Sequence, residues 1–421
     1  MMSVFNSLLG MLLLPALAFA LSRHRRAVNW RTVGTAFALQ LGIGAFVLYV
    51  PQGRLVLEKL SAGIVAVLGY GNEGIAFLFG GLAGDKMFEL FGSGGFVFAF
   101  RVLPMIVFFS ALIALLYHVG VMTRLIRVIG GALQRLLGTS RPESMSAAAN
   151  IFVGLTEAPL VIKPYLPQMT RSELFAVMTG GLASIAGSVL GSLVGLGVPA
   201  DYLIAASFMA APGGLLFAKL LYPETETPAY DPARTLGFAD DNRPANAIDA
   251  VASGAETGLK IALSVAAMLI AFVALIALFN GIIGGVGGWF GAADLSLEKI
   301  LGWLLAPVAW LVGAPWAEAQ TAVSFIGQKL VVNEFVAYAN FAEYVKAGAQ
   351  TLSPKTQAVV TFALCGFANF SSIAILVGGL SVMAPERRGD IARMGMLALL
   401  AGSLSNLMSA AVAGLFIGLS A

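Results

Sequence analysis

The sequence predicts an all-α polytopic membrane protein, and three observations carry that prediction. Of its 421 residues, 58% are hydrophobic and only 11% are charged, against roughly 25% charged in a water-soluble domain. Too few charges remain to cover a wetted surface. The mean hydropathy is +0.88. Apolar runs last roughly 20 residues or more, the length a helix needs to cross hydrocarbon, and lack the short alternation of a membrane barrel strand. Hydrocarbon offers no hydrogen-bond partner, so the backbone of such runs has to bond to itself as a helix. The 49 glycines suit closely packed membrane helices. A single cysteine, Cys365, excludes an internal disulfide and argues against a metal cluster. The net charge of +3 is small for a nucleic-acid binder and is accounted for by basic loops. No Walker, haem or zinc spacing occurs.

In chain order, apolar segments lie near 4–22, 33–50, 98–122, 173–197, 201–221, 257–284, 356–380 and 391–419, giving about eight spans. The first resembles a signal peptide, since Leu8 to Ala20 ends in Ala-Leu-Ala-Phe-Ala. A signal peptide carries its positive charges before the apolar stretch, whereas Arg23, Arg25, Arg26 and Arg31 follow it here. A retained first helix with its N-terminus outside is therefore expected. The basic stretches Arg23–Arg31, Arg124–Arg141 and Arg387–Arg393 then read as cytoplasmic loops. Pro223 to Glu256, polar and mildly acidic, reads as a flexible loop joining two halves. Asn72-Glu73-Gly74 reads as an interfacial turn, His24 as a surface residue and His118 as an interfacial or packing residue.

Two segments do not read as spans. Ser144 to Met169 contains Asn150, Gly154, Thr156, Glu157, Pro159, Lys163, Pro164 and Pro167; about Ala314 to Asn340 contains Pro315, Glu318, Gln320, Ser324, Gln328, Lys329, Asn333 and Glu334. Each is apolar enough to enter a bilayer yet broken by polar and helix-breaking residues. Irregular backbone survives at that depth only inside protein or around a water-filled cavity, so both are expected to be re-entrant hairpins. After the first comes Thr170-Arg171-Ser172, then Ala176-Val177-Met178-Thr179 and a Gly/Ser-rich helix. After the second comes Thr351-Leu352-Ser353, then Ala358-Val359-Val360-Thr361 and another such helix. Ser172 and Ser353 are the expected N-caps. The shared order points to an internal repeat, the usual frame of a midplane transport site.

A carboxylate inside an apolar membrane segment costs about 2.5–3.5 kcal/mol even on lenient scales, so Glu157 and Glu334 stand out. They either pair with Lys163 and Lys329 or share a site between the halves. Two carboxylates near Asn, Thr and Ser, with no arginine, repel anions and accept hydroxyl and N–H donors. A neutral hydroxylated solute fits, with a cationic one as the alternative. Gly366-Phe367-Ala368-Asn369-Phe370-Ser371-Ser372 and Ala183 to Val189 are expected to break their helices. Asn150 and Ser184 are candidate oxygen donors to a hard cation.

Gly71-Asn72-Glu73-Gly74 with Phe77 and Phe79, Gly154-Leu155-Thr156-Glu157, Ser184-Ile185-Ala186, Lys329-Leu330-Val331-Val332-Asn333-Glu334-Phe335 and Gly366 to Ser372 together resemble the concentrative nucleoside transporter family along nearly the whole chain. The resemblance implies sodium-coupled symport of nucleosides such as uridine across a bacterial inner membrane, with a periplasmic N-terminus. It also implies a homotrimer in the lipid bilayer, eight spans, two opposed hairpins in an inverted repeat, an interfacial helix, and a transport domain moving against a scaffold like an elevator. The expected blocks are 1–125 (N-terminal helices and first scaffold part), 126–197 (first hairpin and broken helix), 198–284 (scaffold helices), 285–380 (second hairpin and broken helix) and 381–421 (C-terminal helix). By motif position, Leu155, Thr156, Glu157 and Val189 would face the base. Glu334, Asn369 and Ser372 would hold the ribose, with Phe367 beside the ligand. Asn150, Val153, Ser184 and Ile185 would bind Na+. Leu155 departs from the family, which usually carries glutamine there, and this leaves base preference open. Asn150, often lacking in relatives thought to use protons, implies sodium over a proton-coupled alternative. An ion channel remains a rival, distinguished by saturating, accumulating flux. No nucleophile–base set supports an enzyme.

Overall fold

Every apolar run long enough to cross hydrocarbon is helical in the computed structural model, which describes residues 2–84, 86–91, 97–227, 244–292, 294–346 and 352–420. Helices α1 (Met2–Ala20) and α2 (Trp30–Leu48) precede the long α3 (Pro51–Phe79), the short α4 (Lys86–Phe91) and α5 (Phe98–Arg101), and α6 (Leu103–His118). Next come α7 (Val121–Leu137) and α8 (Arg141–Ala149), the first arm of a hairpin whose second arm is a 3-10 helix, Ala158–Gln168. A broken helix, α9 (Arg171–Ala183) and α10 (Gly187–Leu196), leads to α11 (Ala200–Leu221) and α12 (Ala247–Gly288). Then follow α13 (Leu297–Leu311), the second hairpin α14 (Trp316–Val331) and α15 (Glu334–Lys346), a second broken helix α16 (Pro354–Leu364) and α17 (Phe370–Met383), and α18 (Arg388–Ser420). Helices cover the eight apolar segments expected from hydropathy, and the backbone breaks at 184–186 and 365–369 as expected, but α3, continued by a 3-10 turn to Ala83, is a further helix long and apolar enough to cross a membrane that those segments did not include.

The core forms around α18, which packs against α1, α9, α11 and α16. Its inward face is built from small residues such as Gly395, Ala398, Gly402, Ser405, Ala410 and Gly414. Between helices in lipid there is little hydrophobic drive, so close backbone approach supplies the packing energy. A Cβ at Gly402 would stand 2.9 Å from the Leu182 side chain. Helix α1 joins this core through Met11, Leu14 and Ala18.

Several details differ from the sequence expectation. The block 198–284 does not pack as one unit: α11 lies against α2, α9 and α18 and is 94% buried across its apolar window, whereas α12 packs on α6 and is 12% buried. Helices α1 and α2, placed in the 1–125 block, likewise pack against α18 and α11. Most of the basic stretch 124–141 is helix α7. Met122, Ile126, Leu133 and Leu137 recur at helical spacing and are buried, with Arg124, Arg127 and Arg135 elsewhere on the cylinder. Asn72-Glu73-Gly74 lies inside α3, with no turn there. The acidic loop ends earlier than expected, because Asn246 caps α12 by accepting from the Asp249 amide at 3.0 Å; residues 228–243 lie outside the described set. Thr170, not Ser172, caps α9. Glu173 completes a reciprocal box with Thr170, while the Ser172 hydroxyl donates to Tyr222 O at 2.8 Å. In the second repeat Ser353 is the cap, as expected, and Thr351 lies outside the described residues. Helix α13, to which the sequence reading gave no element, meets α14 at a 113° bend.

Candidate functional site

The second hairpin turns at Val332 and Asn333. Asn333 Oδ1 accepts from the Val336 amide at 2.9 Å and so starts α15, which leaves Glu334 as the first residue of that helix. The N-terminal partial charge favours an acid there. Glu334 is 4% exposed and accepts from Asn369 Nδ2 at 2.9 Å. Asn369 sits in the break before α17 and caps it, its Oδ1 accepting from the Ser372 amide at 2.8 Å and the Ser371 hydroxyl at 2.7 Å. Glu334, Asn369 and Ser372 are thus brought together. Phe367 lies just upstream in the same break, partly buried against the core.

Lys329 makes no direct ion pair with Glu334, although the two buried charges interact through space. That ammonium donates to Ala363 O at 2.9 Å and Asn406 Oδ1 at 2.6 Å. Among the described residues, the ion pairs include neither Lys329 with Glu334 nor Lys163 with Glu157. Lys163 is exposed. The ion-pair reading of the two acids therefore fails.

In the first hairpin, α8 stops at Ala149 and residues 150–157 form an irregular tip. Glu157 folds over that tip: the Gly154 amide donates to Glu157 Oε2 at 3.1 Å, and the Glu157 and Ala158 amides donate to Gly154 O. Pro159, Pro164 and Pro167 lack the N–H an α-helix needs, which accounts for the 3-10 arm that follows. A Cβ at Gly379 of α17 would meet Thr156 Cγ2 at 3.1 Å, so the tip rests on α17. Leu155 is buried against Gly181 of α9, and Val189 is buried in the first turn of α10. Helix α17 therefore meets Glu334 through Asn369 at its start and the first hairpin at Gly379. The two points lie about 15 Å apart along the helix axis. The tip of the first hairpin, through Thr156, and the start of the second hairpin's later arm, through Glu334, thus touch the same helix.

The residues expected to bind a cation lie at the tip of the first hairpin and at the first break. Asn150 is 2% exposed, and neither Oδ1 nor Nδ2 has a hydrogen-bond partner, which is unfavourable for a buried amide unless a ligand serves it. It approaches Gly180, where a Cβ would stand 3.1 Å from Asn150 Nδ2. Ser184 ends α9, and its hydroxyl has only a long 3.5 Å contact to Gly181 O. Val153 and Ile185 lie outside the helices, and their carbonyls accept none of the backbone bonds found among the described residues. The Phe152 carbonyl ties the tip to the break by accepting from the Gly187 amide at 3.0 Å. This all-oxygen donor set suits a hard monovalent cation. Among the described residues no cluster of His, Cys, Asp and Glu suits a transition metal.

Two features had no counterpart in the sequence reading. Asn406 of α18 bonds the freed carbonyls of both broken helices. Lys219 of α11 forms a buried ion pair with Glu143 at 2.7 Å and donates to Ser172 at 3.0 Å, fixing the root of the first hairpin. A lysine near the end of one span and a glutamate near the start of a hairpin gave the only signal for the latter. Asn406 lies in an apolar run that hydropathy reads as an ordinary span.

Comparison with known proteins places the chain in a family. Family profiles described as Na+ dependent nucleoside transporter match residues 9–82 (its N-terminus) and 202–414 (its C-terminus), and a nucleoside-recognition gate profile matches 99–200. An uncharacterized transporter of Haemophilus influenzae is 57% identical, covering 100% of this chain and 99% of the relative. The nucleoside permease NupC of Helicobacter pylori is 53% identical over 99% of this chain and 100% of its own. CNTnw, solved in an inward-facing substrate-bound state, is 64% identical with a TM-score of 0.95, covering 99% of each chain. Sodium is the coupling ion of the family these profiles describe. The chain belongs to the Na+-dependent, concentrative nucleoside transporters.

Proposed function

We propose that this protein carries nucleosides such as uridine into the cell by sodium symport across a bacterial inner membrane, with its N-terminus in the periplasm. The observation that carries the substrate assignment is the buried Glu334, bonded to a neutral amide and left unpaired by Lys329. A carboxylate in that state gains from hydroxyl donors, and Asn369 and Ser372 beside it offer neutral partners. Thr156, Glu157, Leu155 and Val189 would then meet the base, with Phe367 along its flank. Glu157 offers acceptors to the N–H groups of a base edge.

Asn150 and Ser184, with the Val153 and Ile185 carbonyls, would hold Na+. The ion would draw the tip 150–153 toward the break 184–185. Leu155, Thr156 and Glu157 continue from that tip, so the ion and the guest favour the same arrangement. That shared preference is the coupling. Helices α6 and α12 pack on each other, and α6 meets the core at α10, which supports a scaffold of α3, α6 and α12 against which the remaining helices move as an elevator. Exposed apolar residues such as Phe77, Ile270 and Phe279 on those helices supply a face for lipid or for the other copies of a homotrimer.

The test is uridine uptake into proteoliposomes under an imposed sodium gradient, with choline as the control and pH clamped. Saturable accumulation above equilibrium in sodium alone is expected. Accumulation driven by a pH gradient in choline would make the proton-coupled reading correct, and flux that never saturates would make it a channel.

A further inference from the structure

Breaking a helix inside a membrane frees carbonyls that neither water nor the next turn can serve. Where the two broken helices cross, such carbonyls converge on one side chain. Asn406 Nδ2 donates to Ala183 O, at the end of α9, at 2.6 Å and to Cys365 O, just past α16, at 2.8 Å. Its Oδ1 accepts from Lys329 Nζ at 2.6 Å, and the same ammonium donates to Ala363 O at 2.9 Å. The amide's orientation follows from chemistry: an ammonium only donates and a carbonyl only accepts, so Oδ1 has to face Lys329. Asn406 is 2% exposed and Lys329 1%. A Cβ at Gly366 would stand 2.5 Å from Asn406 Oδ1, so a glycine is what admits the amide. One backbone bond adds to the crossing, from the Phe367 amide to Ser184 O at 3.1 Å.

We propose that Asn406 and Lys329 form a positioning bridge that makes the ion-bearing break in α9–α10 and the guest-bearing break in α16–α17 respond as one unit. The proposal rests on the sodium-symport reading above. Ala183 directly precedes Ser184, in the ion set. Lys329 stands on α14, the arm that leads into the turn before Glu334, and Cys365 begins the break that holds Asn369. A cation that sets Ser184 and Ile185 therefore acts on Ala183 O, through the Asn406 amide on Cys365, and through Lys329 on the second hairpin. A brace that only stabilised the fold would weaken ion and guest binding together.

Asn406→Asp keeps the size and the acceptor for Lys329 but loses both donors; Lys329→Gln keeps a donor without the charge. Calorimetry on the purified protein gives the uridine Kd without sodium and at saturating sodium. For each variant we expect the ratio of the two to fall roughly tenfold while the sodium-free Kd stays within about threefold of the parent, a loss of coupling within the usual range. An equal shift of both Kd values, or an unchanged ratio, overturns the bridge. Should neither variant fold, hydrogen exchange of the unaltered protein decides. Sodium alone should protect amides 184–187 and 365–369 with one midpoint, and protection confined to the first stretch overturns the proposal. Uridine binding by the parent that ignores sodium would sink the symport reading and the bridge with it. Sodium-dependent binding by the parent, with variants that match it, sinks the bridge alone.

Discussion

Replacing Glu334 by glutamine keeps the shape of the side chain and removes its charge. The carboxylate is 4% exposed and accepts one hydrogen bond from Asn369 at 2.9 Å, a bond that the glutamine oxygen can still accept. What disappears is charge-assisted acceptance from the hydroxyls of a bound guest. Hydrogen bonds to an ionised group contribute about 1.5–3 kcal/mol and neutral ones about 0.5–1.5 kcal/mol. Each hydroxyl thus loses roughly 1–1.5 kcal/mol, and the two hydroxyls of a ribose together about 2–3 kcal/mol. That is a rise in the uridine Kd of roughly 30- to 150-fold. 2′-Deoxyuridine presents one hydroxyl fewer and should lose about half as much free energy. The fold should lose little, because Glu334 makes no direct ion pair and Lys329, which feels its charge through space, keeps its bonds to Ala363 O and Asn406 Oδ1. Calorimetry with both ligands at saturating sodium, after a check of thermal stability, reads the outcome. An unchanged uridine Kd, or an equal fold loss for the two nucleosides, would refute the assigned role.

Asn150→Leu removes two unpartnered buried polar atoms, so the variant should unfold no earlier than the parent in choline. It should lose the thermal stabilisation by sodium, which for the parent reaches about 2.7 kcal/mol at a hundred times the ion's Kd. A sodium-induced shift in Tm that survives in the variant would place the ion elsewhere. Leu155→Gln introduces an amide beside Gly181 and should change the ratio of purine to pyrimidine affinity more than the contribution of the ribose hydroxyls; competition binding with a nucleoside panel measures both, and uniform weakening would argue against that position facing the base. Lys219→Met strands the buried Glu143, 2.7 Å from the lost ammonium, and should destabilise by about 3–5 kcal/mol, with Glu143→Gln in the same chain restoring part of it in thermal unfolding. Gly191→Val places a Cβ about 2.5 Å from the Phe109 ring, where α10 meets α6. Overpacking of about 1–3 kcal/mol at this contact should slow uridine uptake while leaving the Kd unchanged, and Phe109→Ala should relieve it. Normal uptake would mean that this contact does not slide.

Much of the fold could be read from the chain because membrane helices announce themselves by length and polarity. Asn369 flanked by phenylalanines, and the prolines after Glu157, marked broken backbone where a span would otherwise run. The rest depends on which faces meet, which hydropathy does not encode. Helices α11 and α12 are both long and apolar, yet the first is buried in the core and the second is largely exposed. The arginines of 124–141 drew attention to charge, while the spacing of Met122, Ile126, Leu133 and Leu137 by four and seven residues carried the helix. Of the site, Glu334, Asn369 and Ser372 were legible as polar residues in apolar surroundings, and the structure joins them. Lys329 stands out too, and an ion pair with Glu334 within one hairpin is one of the two readings the sequence offers, whereas the ammonium reaches Asn406 on the last helix, a contact that no local pattern reveals.

The most direct measurement is a structure of this protein with uridine and sodium bound. The ribose hydroxyls should lie within about 2.6–3.2 Å of the Glu334 carboxylate or the Asn369 amide, with the base toward Thr156 and Glu157 and the ion against Asn150 and Ser184. Uridine found away from the α17 break, or Glu334 swung onto Lys329 with no hydroxyl in reach, would contradict the account.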